Sequence, residues 1–146
     1  MPVQPVPDRY NTVTPYLAVW DVPKLIAFVQ QVFGAVETEV IRSPEGVILH
    51  AEVRIGNSII MMGSGPERKD PFRSMLYVYT EDTDAAYDRA MQAGATSVME
   101  PSDQYYGDRN ACVSDAFGNQ WWIATHKEDV SEGELIRRAA ARKRTA

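Results

Sequence analysis

The sequence predicts an α+β protein made of two copies of one module, each a strand, a helix and three further strands. Two observations lead to this prediction. The segment TPYLAVWDVPKLIAFVQQVFGA has a counterpart later in the chain, SMLYVYTEDTDAAYDRAMQAGA. The aspartates that open the two helical segments, Asp21 and Asp82, are 61 positions apart, and the glycines that close them, Gly34 and Gly94, are 60 apart. A repeat at a nearly constant period indicates a duplicated structural unit.

The first module opens with a predicted strand over residues 14–20. Asp21 is a favourable N-cap for the helix that follows, and Pro23 suits its first turn, where a missing N–H leaves no hydrogen bond unmade. Gly34 ends the helix, because glycine readily adopts the left-handed conformation of a C-cap. The apolar positions of this segment recur at helical spacing, at Leu25, Ile26, Val29, Val32 and Phe33.

Alternating apolar residues between turn signals complete each module as strands. In the first module they are predicted over residues 37–41, 47–55 and 58–62. The second module repeats the order with a strand over 75–80, a helix over 83–93 and strands near Ser97, Ala111 and Trp121. Residues 63–73, rich in glycine, proline and charge, connect the copies. We therefore expect one domain over residues 1–130, with modules at about 10–62 and 74–128, followed by a basic C-terminal helix or tail over 131–146.

Composition restricts the function. The 146 residues, 45% of them apolar, can bury one core, and no apolar run is long enough to span a membrane. The chain starts without a leader pattern, so a cytoplasmic protein is expected. The last ten residues carry five basic residues, which leaves residues 1–136 with a formal charge of −10. Such an acidic body disfavours nucleic acid, and the cations suit the end of a helix.

Two neighbouring tryptophans, Trp121 and Trp122, fall on one predicted strand. Side chains alternate between the faces of a strand, so the two rings must point in opposite directions. We expect Trp121 to pack against the helix of its module. Trp122 then lies on the face opposite the helix, as a wall for an apolar guest.

The paired modules and their motifs resemble the glyoxalase/bleomycin-resistance/dioxygenase (vicinal oxygen chelate) superfamily, and within it the PhnB-like branch. The motifs are Y-L-x-V-x-D at residues 16–21, F-G-A at 33–35, and G-D-R at 107–109 with D-x-F-G-N-x-W at 115–121. The resemblance covers residues 10–130. It implies a cleft between two curved sheets, a small-molecule ligand and a homodimer.

The resemblance also implies where a metal would bind in relatives, at histidines that start each first strand and glutamates near the end of each last strand. Those positions fall here on Thr14, Met75, Met61 and Trp122. A register shifted by one gives Pro15, Leu76, Ile60 and Trp121. None of these side chains is a good ligand for a divalent cation. No metal and no cofactor is therefore expected at the family's positions.

Apolar and aromatic side chains are expected to line the cleft instead. Sulfur and aromatic rings suit flat, variable guests. The alternative is that the same residues fill the protein as ordinary core. The predicted ligand-binding residues are Trp122, Met61, Met75, Tyr77, Tyr79, Tyr16 and Thr14.

In VILHAEVRIG, His50 and Glu52 share one strand face, opposite the apolar residues Ala51 and Val53. The pair is a candidate for acid/base catalysis or metal binding. It is also compatible with a structural or ligand-orienting polar pair, which the sequence favours because it shows no third ligand.

Three further residues carry chemistry that could serve a site: Arg109, His126 and Cys112. Arg109 could bind an anionic group of a ligand, or pair with Asp103, Asp108 or Asp115. His126 is expected on the surface, and Cys112, the only cysteine, is expected to be a buried, unreactive thiol.

The sequence thus leaves two functions open, besides a third in which the chain is a subunit of a larger pathway assembly. The first is a binding protein of the sequestration or resistance type that holds an aromatic or apolar molecule without a metal. The second is a lyase-, isomerase- or dioxygenase-like enzyme that uses His50 and Glu52.

Overall fold

The structure, a computed structural model, describes residues 3–65, 67 and 69–145. It is α+β and contains two compact units. The first unit comprises the described residues of Met1–Ser74 together with Ala116–Gly118. The second comprises Met75–Asp115 and the described residues of Asn119–Ala146.

The first unit has the predicted order of strand, helix and three strands. Its elements are β1 (Tyr16–Val19), α1 (Val22–Phe33), β2 (Val36–Arg42), β3 (Ile48–Ile55) and β4 (Ser58–Ser64). The sheet order is β1-β4-β3-β2, with β1 parallel to β4 and the other neighbours antiparallel. The first strand of the module therefore lies beside its last.

Both ends of α1 follow the sequence signals. The Asp21 side chain accepts a hydrogen bond from the Lys24 backbone N–H at 3.2 Å, and Gly34 closes the helix at φ +64°. β1 is shorter than predicted and begins after Pro15, whose nitrogen has no hydrogen to donate to a neighbouring strand. The helix and the facing sides of β1, β3 and β4 bury an aliphatic core that includes Leu17, Leu25, Val29, Val32, Val53 and Met62.

The second unit repeats this topology. Its elements are β5 (Met75–Tyr79), α2 (Thr83–Gln92), β6 (Thr96–Asp103), β7 (Asp108–Ser114) and β8 (Gln120–His126), with sheet order β5-β8-β7-β6. The Asp82 side chain accepts a hydrogen bond from the Ala85 backbone N–H at 3.1 Å. The N-caps of the two helices are thus equivalent, as the repeat predicts.

A buried aspartate organises the start of β8. Asp115 accepts hydrogen bonds from the backbone N–H of Asn119 at 2.9 Å, from its side-chain amide at 3.1 Å, and from Trp121 Nε1 at 2.9 Å. These three bonds join the aspartate, asparagine and tryptophan of the D-x-F-G-N-x-W motif. The aspartate fixes both the turn and the tryptophan that follows it.

The C-terminal helix α3 covers Glu132–Thr145. Ser131 caps it by accepting a hydrogen bond from the Glu134 backbone N–H at 3.2 Å. Arg138 pairs with Glu134 and Glu128 at 2.9 and 2.7 Å, so this part of the basic tail is engaged within its own unit. The side chains of Lys143 and Arg144 lie outside the described residues. In the part of the chain that the structure describes, no helix is long and apolar enough to cross a membrane.

Candidate functional site

One face of each sheet is occupied by the helix of the same unit. In the second unit, Thr83 of α2 shares a hydrogen bond of 2.8 Å with Thr125 of β8. Trp121 and Ile123 alternate in step with Thr125, so they lie on this helix face, and both are fully buried. Trp122 therefore lies on the face opposite α2, as the alternation predicts.

Four side chains on the face opposite α2 form what we call the aromatic face: Met75, Tyr77, Tyr79 and Trp122. The first three are 66%, 41% and 63% exposed. Tyr77 is the register partner of Trp122, and the two rings stack with centroids 6.3 Å apart at an interplanar angle of 16°. The Tyr79 ring meets Tyr77 edge-on at 5.3 Å. Sequence analysis placed all four residues at a ligand site, and the structure brings them together on one sheet.

A buried carboxylate, that of Asp108, is hydrogen-bonded to two tyrosines of the aromatic face. Asp108 accepts hydrogen bonds from Tyr77 Oη at 2.7 Å and Tyr79 Oη at 3.4 Å, and it pairs with His126 Nδ1 at 2.8 Å. Burial raises the pKa of Asp108, but the hydrogen bonds from His126 and Tyr77 outweigh burial and leave the pKa lowered. Burial and the bond to Asp108 raise the pKa of Tyr77, so this phenol stays protonated and donates.

Two buried polar atoms on this face have no hydrogen-bond partner among the described residues. They are Trp122 Nε1, a donor, and Asn110 Oδ1, an acceptor. The amide nitrogen of Asn110 donates to Tyr77 Oη at 3.0 Å and to Tyr106 Oη at 2.7 Å, so only its oxygen is unsatisfied. An unmade hydrogen bond of this kind costs about 1–3 kcal/mol. Both atoms would gain from a ligand or water that completes their hydrogen bonds.

In the first unit, His50 and Glu52 lie side by side on β3. His50 Nε2 is 2.8 Å from Glu52 Oε2, and Glu52 is only 3% exposed. Tyr10 donates a hydrogen bond to the other oxygen of Glu52, and Tyr16 Oη is 3.4 Å from His50 Nδ1. Burial raises the pKa of Glu52, but the hydrogen bonds from His50 and Tyr10 outweigh burial and lower it, which favours a buried carboxylate ion.

The N-terminal segment adds a pocket to the same unit. The pocket has a volume of about 360 Å³. Thr14 and Met61, two of the predicted ligand-binding residues, line it beside Tyr10. Thr14 precedes β1 instead of lying on it. The remaining lining residues are Pro5, Val6, Pro7, Asn11 and Thr12.

Arg109 is already paired within its unit. Its guanidinium binds both oxygens of Asp84, at 2.9 and 3.1 Å, and Asp103 at 3.2 Å. The pairing with Asp103 is one of the alternatives that the sequence left open, whereas Asp84 was not anticipated. Cys112 is fully buried, and burial raises its pKa to about 11, so the thiolate is scarce at neutral pH.

Sequence reasoning missed three polar residues that the structure places at these sites: Asp108, Asn110 and Glu39. A signal for the first two was present, since Asp108 and Asn110 alternate in step on β7 towards the face of Trp122. The position of Glu39 depends on the pairing of β2 with β3, which puts it opposite Glu52. The sequence does not reveal that register.

The ion pair between Asp108 and His126 should make the stability of the fold depend on pH. Hydrogen bonds to Asp108 and Asp129 raise the pKa of His126. Its stabilisation is therefore fully present below about pH 6.5 and is lost as the pH rises through the raised pKa. Asp108 contributes the opposite pH dependence. Because its pKa is lowered in the folded state, the stabilisation that it contributes is lost as the pH falls through that pKa. We expect His126→Gln to lower the thermal midpoint more at about pH 6 than at about pH 9. An equal decrease at both pH values would contradict the pairing.

Comparison with known proteins identifies the family. The model of the Glyoxalase/Bleomycin resistance protein/Dioxygenase superfamily matches residues 9–123. The chain belongs to this superfamily. An uncharacterized protein of Mycobacterium bovis is 31% identical in an alignment of 133 positions that covers 84% of this chain and 88% of that protein.

Two solved structures show the same superfamily fold. TioX from Micromonospora sp. ML1 is similar with a TM-score of 0.68 and 24% identity, covering 80% of this chain and 98% of TioX. A glyoxalase/bleomycin resistance protein/dioxygenase family enzyme from Burkholderia phytofirmans PsJN has a TM-score of 0.58 and 27% identity, covering 78% and 95%. These likenesses agree with the α+β fold of two repeated modules.

The metal that the superfamily implies does not fit the corresponding positions here. Thr14, Met61, Met75 and Trp122 offer one hydroxyl, two thioethers and an indole. Zinc and similar divalent ions bind imidazole, carboxylate or thiolate, and an indole N–H is only a donor. These four side chains therefore do not fit such an ion.

Proposed function

We propose that the chain binds a small, flat aromatic or apolar molecule on the aromatic face, as a sequestering or resistance-type protein of its superfamily, without a metal at the family's positions. The observation that carries the proposal is the exposed row of Met75, Tyr77 and Tyr79 beside the stacked ring of Trp122. Single exposed apolar residues are ordinary on a protein surface. A contiguous group of large rings on one sheet face is a feature of binding sites.

The polar atoms around this face support a guest that is not purely hydrocarbon. Trp122 Nε1 needs an acceptor and Asn110 Oδ1 needs a donor. A planar molecule such as an aromatic amide carries both kinds of group beside a ring that can stack on this face. The negative charge of residues 1–136 adds attraction for a cationic guest.

The test is a titration of the full chain with Nile red, a neutral planar dye, and with bleomycin, which the superfamily description names, followed by tryptophan fluorescence. We expect binding of at least one probe, weakened about tenfold or more by Trp122→Ala or Tyr79→Ala, because loss of a stacked ring removes about 1.4 kcal/mol or more. Tyr87→Ala is the matched control, since Tyr87 lies on α2 and bonds Ser97. Wild-type affinity in both Trp122→Ala and Tyr79→Ala would contradict the proposal.

A second candidate function rests on His50. Its ring is held by the buried carboxylate of Glu52 and faces the Tyr16 hydroxyl, which is the arrangement of an oriented general base or a metal ligand. An enzyme of this kind loses turnover in His50→Ala and Glu52→Gln and keeps it in Trp122→Ala. If turnover of a substrate is found and His50→Ala retains it fully, this candidate is eliminated.

We further propose a PhnB-like place within the superfamily, on the motifs at residues 16–21 and 115–121, and a homodimer. The physical reason for a dimer is that each sheet has two edge strands to which a second chain can add. These are β1 and β2 in the first sheet and β5 and β6 in the second. Size-exclusion chromatography with light scattering checks it. A monomer mass at micromolar concentration contradicts the homodimer.

A further inference from the structure

Three side chains with metal-binding chemistry converge on β2 and β3, on the face opposite α1. One donor atom from each of Glu39, His50 and Glu52 lies within 4.8 Å of the other two. Glu39 and Glu52 are register partners on neighbouring strands, and His50 is two residues before Glu52 on the same face. We call these three residues the His50 cluster.

We infer that the His50 cluster is a binding site for one divalent transition-metal ion, with zinc as the best fit. The site uses β2 and β3, whereas the resemblance to the superfamily implies ligands on the first and last strands of each module. It is independent of the aromatic face and deepens the second candidate function, on which it rests, by assigning His50 the role of a metal ligand. Two carboxylates and an imidazole are ligands that zinc accepts at distances of about 2.0–2.2 Å.

The spacing of the donors is close to what an ion requires. Three ligands at about 2.1 Å from one ion lie roughly 3–3.5 Å apart from one another. His50 Nε2 and Glu52 Oε2 are 2.8 Å apart, and the whole cluster is within 4.8 Å. Since both glutamates have three rotatable side-chain bonds, small rotations bring the donors into range without movement of the strands.

The electrostatics favour a cation. The side-chain carboxylate of Glu39 makes no hydrogen bond or ion pair in the part of the chain that the structure describes. It is half-buried and directly opposite Glu52, whose carboxylate is buried. Like charges opposite each other on neighbouring strands are destabilising. An ion between them converts this repulsion into two favourable contacts.

Two tyrosines orient the ligands from outside the cluster. Tyr10 donates a hydrogen bond to the Glu52 oxygen that does not contact His50. Tyr16 Oη is 3.4 Å from His50 Nδ1. When Nε2 binds a metal, Nδ1 carries the ring proton and can donate it to Tyr16. Outer partners of this kind fix the tautomer and orientation of metal-binding histidines and carboxylates.

The test is calorimetric titration of the full chain with zinc alone, after removal of bound metals with a chelator and without a histidine tag. We expect one zinc per chain, with affinity lowered about tenfold or more in Glu39→Gln and at least as much in His50→Ala. The chain has only two histidines, so His126→Ala is a matched control, and Glu37→Gln is a control for the charge change on β2. Both controls should bind zinc like the wild type.

Thermal unfolding with and without zinc provides a second measurement, because each variant is compared with itself even if the substitution lowers its stability. Zinc should raise the midpoint of the wild type and of both controls by the same amount, and that of Glu39→Gln by less at the same zinc concentration, because stabilisation by a ligand falls as its affinity for the folded state falls. Absence of stoichiometric zinc binding overturns the inference, as does wild-type affinity in either Glu39→Gln or His50→Ala. Trp122→Ala should leave zinc binding unchanged, so failure of the metal site and failure of the proposed aromatic site give different results.

Discussion

Trp121→Ala is expected to lower the free energy of unfolding by about 3–5 kcal/mol, the range for removal of a large buried aromatic side chain. Trp121 is fully buried on the helix face of β8 and donates to Asp115. The substitution leaves a cavity between the sheet and α2 and removes a hydrogen bond to a carboxylate. Chemical denaturation followed by circular dichroism measures the change.

Trp122→Ala is the neighbouring comparison. Trp122 lies on the opposite face, stacks on Tyr77 and has a buried N–H with no partner among the described residues. Its removal deletes less buried surface and also deletes an unsatisfied donor, so we expect a smaller loss of stability than in Trp121→Ala. Equal losses in the two variants would show that both rings serve the core, which is the alternative that the sequence left open.

Asp115→Ala is the second large effect, expected at about 3 kcal/mol or more. The substitution removes three hydrogen bonds to one buried carboxylate, and bonds to charged groups contribute about 1.5–3 kcal/mol each in mutational series. The sum is not additive, because the three bonds share one acceptor. The measurement is again the free energy of unfolding from denaturant titration.

The control for this prediction is Asp129→Ala. Asp129 is fully exposed and pairs only with the second nitrogen of His126 among the described residues, so its loss should change the free energy of unfolding by less than about 1 kcal/mol. A similar small change in Asp115→Ala would mean that the motif is held by its backbone turn and not by the aspartate.

Most of the fold could be predicted because the local signals are strong and appear twice. Asp21 and Asp82 cap equivalent helices, and the strand alternation assigns Trp121 and Trp122 to their faces correctly. The start of β1 was wrong by two residues. Pro15 can follow the extended path of a strand but cannot donate to its ladder, and the sequence pattern alone does not count hydrogen bonds.

The candidate sites could be predicted only in part. Residues that share a strand, such as His50 with Glu52, were found because a period of two fixes their relation. Glu39 was not found, because its place depends on the register between β2 and β3. Asp108 was assigned only as a possible partner of Arg109, whereas it instead binds Tyr77 and His126. Side-chain networks across strands carry no periodic signal along the chain.

The parallel pairing of first and last strands also bears on how the chain is made. β1 cannot pair with β4, its neighbour in the sheet, until β4 has been synthesised, and β5 likewise waits for β8. Parallel neighbours separated by a whole module give contacts of long sequence separation, which slow folding. During translation, each opening strand therefore remains an unprotected hydrophobic segment until its module is nearly complete.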